Sequence, residues 1–195
     1  MNKLEKLAAL LTAFCLLAGC NPQTPAVTTP TPSPTPTPTV AEFALPYDPA
    51  GGLHPLTTTS ATNLTLMPLL YEGLFAVNAK FEAEPVLCQN VTKSEGGKVW
   101  RFLIKSGVTC SNGTAVTAEL CKSSILAAKE SALYGGRLRE IASMEAEGQH
   151  LTVTLTVPNA NLPLLLDVPV FAAGENGAVA GTGPYVLGEN RLTAR

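Results

Sequence analysis

The chain has 195 residues, of which 46% are hydrophobic and only 14% charged, with a formal net charge of −2. No cluster of Lys and Arg supplies the electrostatic footprint that nucleic acid or an anionic surface attracts, so nucleic-acid binding is excluded. Without its terminal segments, the chain is long enough for one ordinary globular domain.

Lys3 and Lys6 give residues 1–19 a positive start, and 7–17 is an apolar run about half as long as a membrane-spanning helix requires. Leu17-Ala18-Gly19-Cys20 resembles a bacterial lipobox, so removal of residues 1–19 and lipidation of the new N-terminal Cys20 are expected. Several acyl chains on one cysteine bury enough methylenes to hold a chain at a membrane without a spanning helix. An ordinary secretory signal with an incidental cysteine is the alternative. Residues 21–40 are almost entirely Pro and Thr, which cannot build a core and favours an extended, semi-rigid tether. A proline-rich ligand for a partner domain, or a glycosylated stalk, are rival readings. The folded part is therefore expected over residues 41–195.

Residues 41–45 read as a first strand ending at Pro46, and 47–56 as a loop rich in turn formers. A lone histidine such as His54 on that loop is most simply an exposed side chain. Leu66, Leu69, Leu70 and Leu74 fall at helical spacing, with Pro68 in the first turn or at a kink and Gly73 ending the helix. This apolar stripe reads as core. Residues 91–104 read as a β-hairpin, since Trp100, Phe102 and Ile104 alternate with Arg101 and Leu103, and Gly96-Gly97 can supply positive φ angles. After the breaks at Gly107 and Asn112-Gly113, Thr117 stands at an N-cap position before a helix starting at Ala118. Leu120, Cys121, Ser124, Ile125 and Ala128 line one face of it. Tyr134-Gly135-Gly136 makes a break, and residues 141–147 pair with 151–157 across Gly148, with Leu151, Val153, Leu155 and Val157 on the buried face. A short helix at 162–166 and a buried strand at 168–171 complete the pattern.

Pro85, Leu87, Trp100, Phe102, Gly107, Val108, Gly113, Thr117 and Ala118 follow one another in an order that resembles the N-terminal signature of family 5 solute-binding proteins. These are the peptide, nickel and related receptors of ABC importers. Leu70-Tyr71-Glu72-Gly73-Leu74 and Gly181-Thr182-Gly183-Pro184-Tyr185 are similar to two further boxes of that family. Four positions depart from the signature: Cys110 replaces Phe, Asn112 and Leu120 replace Asp, and Cys121 replaces Val.

The resemblance implies a mixed α/β fold of periplasmic-binding-protein-like type II, with residues 41–195 forming part of lobe one, and it implies no enzymatic activity and no cofactor. It also implies a peptide or other small solute as ligand, ABC permease subunits as partners, and a lipid-anchored place at the cell membrane, facing the periplasm or the extracellular side. In the family, the loop after the first strand faces the ligand cleft, which makes Tyr47, Asp48 and His54 the cleft candidates. Gly107, Gly113, Thr117, Gly181, Thr182, Gly183, Pro184 and Tyr185 are structural positions of the motifs. Family members are several hundred residues longer and close two lobes around the solute. A truncated receptor, unable to bind alone, is thus the expectation, with a membrane-tethered interaction module or a non-functional fragment as the alternative.

Cys88, Cys110 and Cys121 remain in the folded part, and their spacing matches no zinc pattern. Small apolar core filling is the better reading, with a Cys110–Cys121 disulfide left open. His54 and His150 are the only histidines. No nucleophile elbow, phosphate-binding glycine loop or carboxylate pair accompanies them.

Overall fold

The computed structural model describes residues 44–174, 178–188 and 191–195; Cys20 and the tether lie outside these residues. Two hairpins form the central sheet. The first joins β3 (Cys88–Ser94) to β4 (Val99–Ile104) through a turn in which Gly96 and Gly97 have φ of 64° and 94°. Its first strand starts at Cys88, ahead of the expected residue 91. The second joins β5 (Ile141–Glu147) to β6 (His150–Leu155) over Gly148. The antiparallel order is β3-β4-β6-β5, with Phe102 opposite Leu151 and Trp100 opposite Val153.

Strand alternation then decides the burial. Trp100, Phe102, Ile104, Leu151, Val153 and Leu155 all face the core, and Phe102 has Trp100 stacked at 6.1 Å and Phe75 edge-on at 5.9 Å. Val157, expected on the same row, is 52% exposed, because the ladder ends at Leu155 and the chain bends at the next residue.

The core is closed by α3 (Ala118–Lys129), which packs on β5 and β6. Thr117 caps it as expected, its hydroxyl accepting from the Leu120 N–H at 3.2 Å. Ala118, Cys121, Ser124, Ile125 and Ala128 form its buried face, with Leu120 at the rim. Cys88, Cys110 and Cys121 are free thiols inside this core, and no disulfide joins Cys110 to Cys121. Beyond the helix, Gly135 and Gly136 do not make the break themselves. The chain leaves the helix earlier, and the two glycines open a single helical turn, α4 (Gly135–Leu138), as the Gly135 N–H donates to the Ser131 carbonyl.

On the N-terminal side, the helix expected to run up to Gly73 is two short pieces, α1 (Ala61–Leu64) and α2 (Met67–Leu70). Pro68 sits in the first turn of α2, where its missing N–H costs nothing. The helix stops at Leu70, three residues before Gly73, because Tyr71 is extended at φ −135°. Leu74 is still fully buried, from a bend instead of a helix.

The hairpin of β1 (Phe75–Val77) and β2 (Ala83–Pro85) follows. Near the C-terminus, α5 (Leu162–Leu165) occupies the expected short helix. The strand expected at 168–171 begins only at Phe171. Val168 and Val170 are fully buried, but the Val170 N–H goes to the Glu72 carbonyl and not into a ladder. Phe171–Ala173 (β7) pairs with Val179–Gly181 (β8), and Tyr185–Leu187 (β9) with Leu192–Ala194 (β10). Of the first strand expected at 41–45, residues 41–43 lie outside the described residues; Ala44 and Leu45 are exposed and join no ladder. Among the described residues, no helix is long and apolar enough to cross a membrane.

Candidate functional site

The loop carrying Tyr47, Asp48 and His54 is held by a residue that sequence reasoning passed over. Asn63, on α1, is fully buried, and its side chain is spent on the loop backbone. Its Oδ1 accepts from the Asp48 N–H at 2.9 Å, while its Nδ2 donates to the Asp48 and Gly52 carbonyls, each at 2.7 Å. Thr58 adds a hydroxyl bond to the Gly51 carbonyl at 3.0 Å. A surface loop is thereby given the hydrogen-bond closure of secondary structure. The sequence signal was available in principle. Ser60 three residues earlier is the N-cap of α1, and a polar side chain on the inner face of so short a helix needs a partner.

The loop uses part of its own chemistry internally. Asp48 Oδ1 accepts from the Ala50 N–H at 3.0 Å, capping the turn Pro49–Gly51. Nδ1 of His54 accepts from the Leu56 N–H at 3.2 Å, and the ring meets Phe171 edge-on at 5.4 Å. Tyr47 is half-buried at the start of the loop.

The Gly-Thr-Gly box closes onto the Leu-Tyr-Glu box from the other end of the chain. Thr182 is buried; its Oγ1 accepts from the Glu72 N–H at 3.1 Å, with the Glu72 and Val170 carbonyls in reach of its proton at 3.3 and 3.4 Å. The Gly183 N–H donates to the Leu70 carbonyl at 2.9 Å, and the Gly181 carbonyl accepts from the Ser111 N–H at 2.9 Å. Glycine is required for this approach. A Cβ on Gly183 would lie 2.4 Å from the Leu70 carbonyl carbon. Pro184 accepts from the Arg195 N–H at 3.0 Å, and Arg195 Nη2 reaches the Thr109 carbonyl at 2.7 Å. Gly107 and Gly113 stand in the turns leading to Thr117, both with positive φ.

Where loop and box meet, Tyr71 donates its hydroxyl to the Leu53 carbonyl at 2.9 Å, and burial pushes its pKa up to about 12. Burial likewise raises the Glu72 carboxyl, with Arg195 and Lys105 pulling it back down. Beside Tyr71 opens a cleft of about 150 Å³, with Leu53, Val179 and Leu187 as apolar walls and Ser111 and Tyr185 among its lining residues. Such a recess receives a small apolar group and offers hydroxyl or backbone partners at its edge. Among the described residues, no group of three or more His, Cys, Asp and Glu side chains is placed to hold a metal ion.

This mixed α/β arrangement is the fold of periplasmic-binding-protein-like solute receptors. It superposes on an ABC transporter substrate-binding protein from Sinorhizobium meliloti with a TM-score of 0.63, over 74% of this chain and 32% of that one, at 23% identity. Residues 82–193 match the model described as bacterial extracellular solute-binding proteins, family 5 middle, and the chain belongs to that family. Among curated relatives, the oligopeptide-binding protein OppA of Bacillus subtilis is 34% identical over 67 residues, which are 34% of this chain and 12% of OppA. The nickel-binding periplasmic protein of Escherichia coli is 29% identical over 142 residues, 64% of this chain and 27% of that protein. The chain thus spans about a quarter or less of these relatives' length. They are solute-binding proteins and not enzymes, and the matched region holds the motif residues from Leu87 to Tyr185.

Proposed function

We propose that this chain belongs to the solute-recognising lipoprotein of an ABC importer that takes up oligopeptides and passes them to membrane permease subunits, and that it supplies part of the first of that receptor's two lobes. The observation that carries the reading is the closure of the two family boxes on each other through Thr182 and Gly183, beside a loop stitched down by Asn63. Within a family of extracellular solute-binding proteins, such a prefixed edge is what a receptor needs to meet its solute without first ordering its own backbone. Tyr47, Asp48 and His54 face the solute in this proposal, which holds peptide chiefly through backbone groups. Lipidated Cys20 and the tether at 21–40 hold the folded residues at the outer surface of the cell membrane.

The test starts from the native product, captured from source cells with an antibody against residues 44–195. Mass spectrometry should find an acylated Cys20 at its N-terminus, and a Cys20→Ala variant should move to the aqueous fraction. Thermal unfolding is then followed with a mixed oligopeptide pool and, separately, with nickel–histidine. Peptides at about 100 times their Kd should add about 2.7 kcal/mol of stability. A shift with nickel–histidine alone would replace peptide by nickel as the solute, and no shift with either would remove the receptor reading.

A further inference from the structure

The β1–β2 hairpin and the outer face of the central sheet carry features that the solute site does not use. Phe81, at the hairpin tip, is 82% exposed, the most exposed large apolar side chain among the described residues, and its φ is +60°. That backbone region is disfavoured for any residue carrying a Cβ, so the surroundings must hold it there. Asn78 does so. Its Oδ1 accepts from the Lys80 and Glu82 N–H groups at 2.9 and 3.0 Å, and its Nδ2 donates to Glu82 Oε2 at 3.1 Å and Glu84 Oε1 at 2.9 Å. The tip thus presents a fixed aromatic ring with the exposed Lys80 before it and the exposed Glu82 and Glu84 after it.

The sheet face turned away from the core offers a counterpart. Cross-strand partners share a face, so Asn90, Leu103, His150 and Glu147 make one row across β3, β4, β6 and β5, and Thr92, Arg101, Thr152 and Glu145 make the next. Over the first three of these strands lies a recess of about 250 Å³, lined by Asn90, Val91, Thr92, Arg101, Leu103 and His150. Leu103 is half-buried there and supplies apolar surface to the recess. The two sides differ in charge, with Arg101 on β4 and the exposed Glu145 and Glu147 on β5, beyond Thr152 and His150.

We propose that two copies of this chain pair by exchanging these features, the Phe81 ring of each seating over Leu103 in the other's recess. An aromatic side chain already fixed in space loses little entropy on binding, and aromatic anchors dominate the energy of protein interfaces. Charge selects this occupant. Glu82 and Glu84 meet Arg101 on one side of the ring, and Lys80 meets Glu145 and Glu147 on the other, so a tip carrying both signs finds both signs opposite it. An anionic lipid surface would instead repel two carboxylates and attract one cation. Only Val86 and Leu87 separate β2 from β3, so hairpin and recess adjoin along the chain. A two-fold axis beside them makes both exchanges one closed interface, whereas insertion in one direction only would run on into an open filament.

The experiment takes the full gene product as Cys20→Ala, so that no detergent is needed, and follows its association by sedimentation equilibrium. A monomer–dimer equilibrium is expected, in which Phe81→Ala and Arg101→Glu each raise the dissociation constant at least about tenfold. Glu84→Lys should weaken pairing alone and recover it when combined with Arg101→Glu. In parallel, benzoylphenylalanine is placed at position 81, with position 157 as an exposed control, and photo-cross-linked in source cells. The expected product joins position 81, and not 157, to the segment around Leu103 or His150 of a second copy. A chain that stays monomeric at about 100 μM, pairing untouched by Phe81→Ala, a charge swap that recovers nothing, or a cross-link to lipid or to a different protein overturns the proposal.

Discussion

Asn63→Ala isolates the clamp on the candidate ligand loop. The substitution deletes three hydrogen bonds of 2.7 to 2.9 Å while leaving an alanine that suits the helix. At about 0.5 to 1.5 kcal/mol net for each bond, the loss would run from about 1.5 to 4.5 kcal/mol if nothing replaced them. Gly52 is exposed and Asp48 half-buried, so water recovers part of the loss, and about 2 kcal/mol is expected. Asn63→Asp has the same shape and sharpens the test. It keeps an acceptor for the Asp48 N–H but turns a carboxylate oxygen toward two carbonyls. Its pKa is raised in the folded state, so its stability is intact below the ordinary carboxyl pKa and falls as pH rises through the folded value. Urea unfolding at pH 4 and 7, with hydrogen exchange at Asp48, Ala50 and Gly51, measures both effects. A cost below about 0.5 kcal/mol for Asn63→Ala, with exchange in the loop unchanged, would refute the clamp.

Gly183→Ala should cost at least about 2 kcal/mol, because the Cβ meets backbone at 2.4 Å and the Leu70 bond must open; chemical denaturation with unchanged midpoint would count against that approach. Thr117→Ala should lose about 1 kcal/mol and fray the first turn of α3, read by helix-specific hydrogen exchange; full protection at Leu120 would contradict it. Burial holds the Cys121 thiol up to about 12 from 9.0, so the folded chain keeps a proton that the unfolded chain releases. The contribution of this thiol is therefore whole below pH 9 and is lost, by about 4 kcal/mol, towards pH 12; Cys121→Ala should make the alkaline decline shallower by that share, with Tyr71, Cys88 and Cys110, whose burial also raises them, supplying the rest.

Much of the fold was legible because its signals are local. The alternation of Trp100, Phe102 and Ile104, the glycines at 96 and 97, and Thr117 ahead of Ala118 each specify their own geometry within a few residues. The errors arose where tertiary partners take over the backbone. Tyr71 leaves the helix because its neighbours Leu70 and Glu72 bond to the Gly-Thr-Gly box, and Val170 is drawn from a ladder to Glu72. Neither exchange is visible in hydrophobic spacing. At the candidate site, the family motifs located Thr182 and Gly183, while Asn63 read only as one more polar residue. Its role depends on a loop 15 residues earlier returning to meet it.

The bond between Glu72 and Thr182 also bears on the order in which the chain assembles. It spans 110 residues, whereas the β3–β4 and β5–β6 hairpins close over turns of a few residues. During synthesis from the N-terminus, both hairpins and α3 emerge complete before residue 182 exists. The segment after Leu70 must wait for its partner, with Tyr71, which packs against Val179 and Leu187, still open to solvent or to other chains. Residues 71–73, which join no ladder of their own, are thus the part of the N-terminal half that closes last.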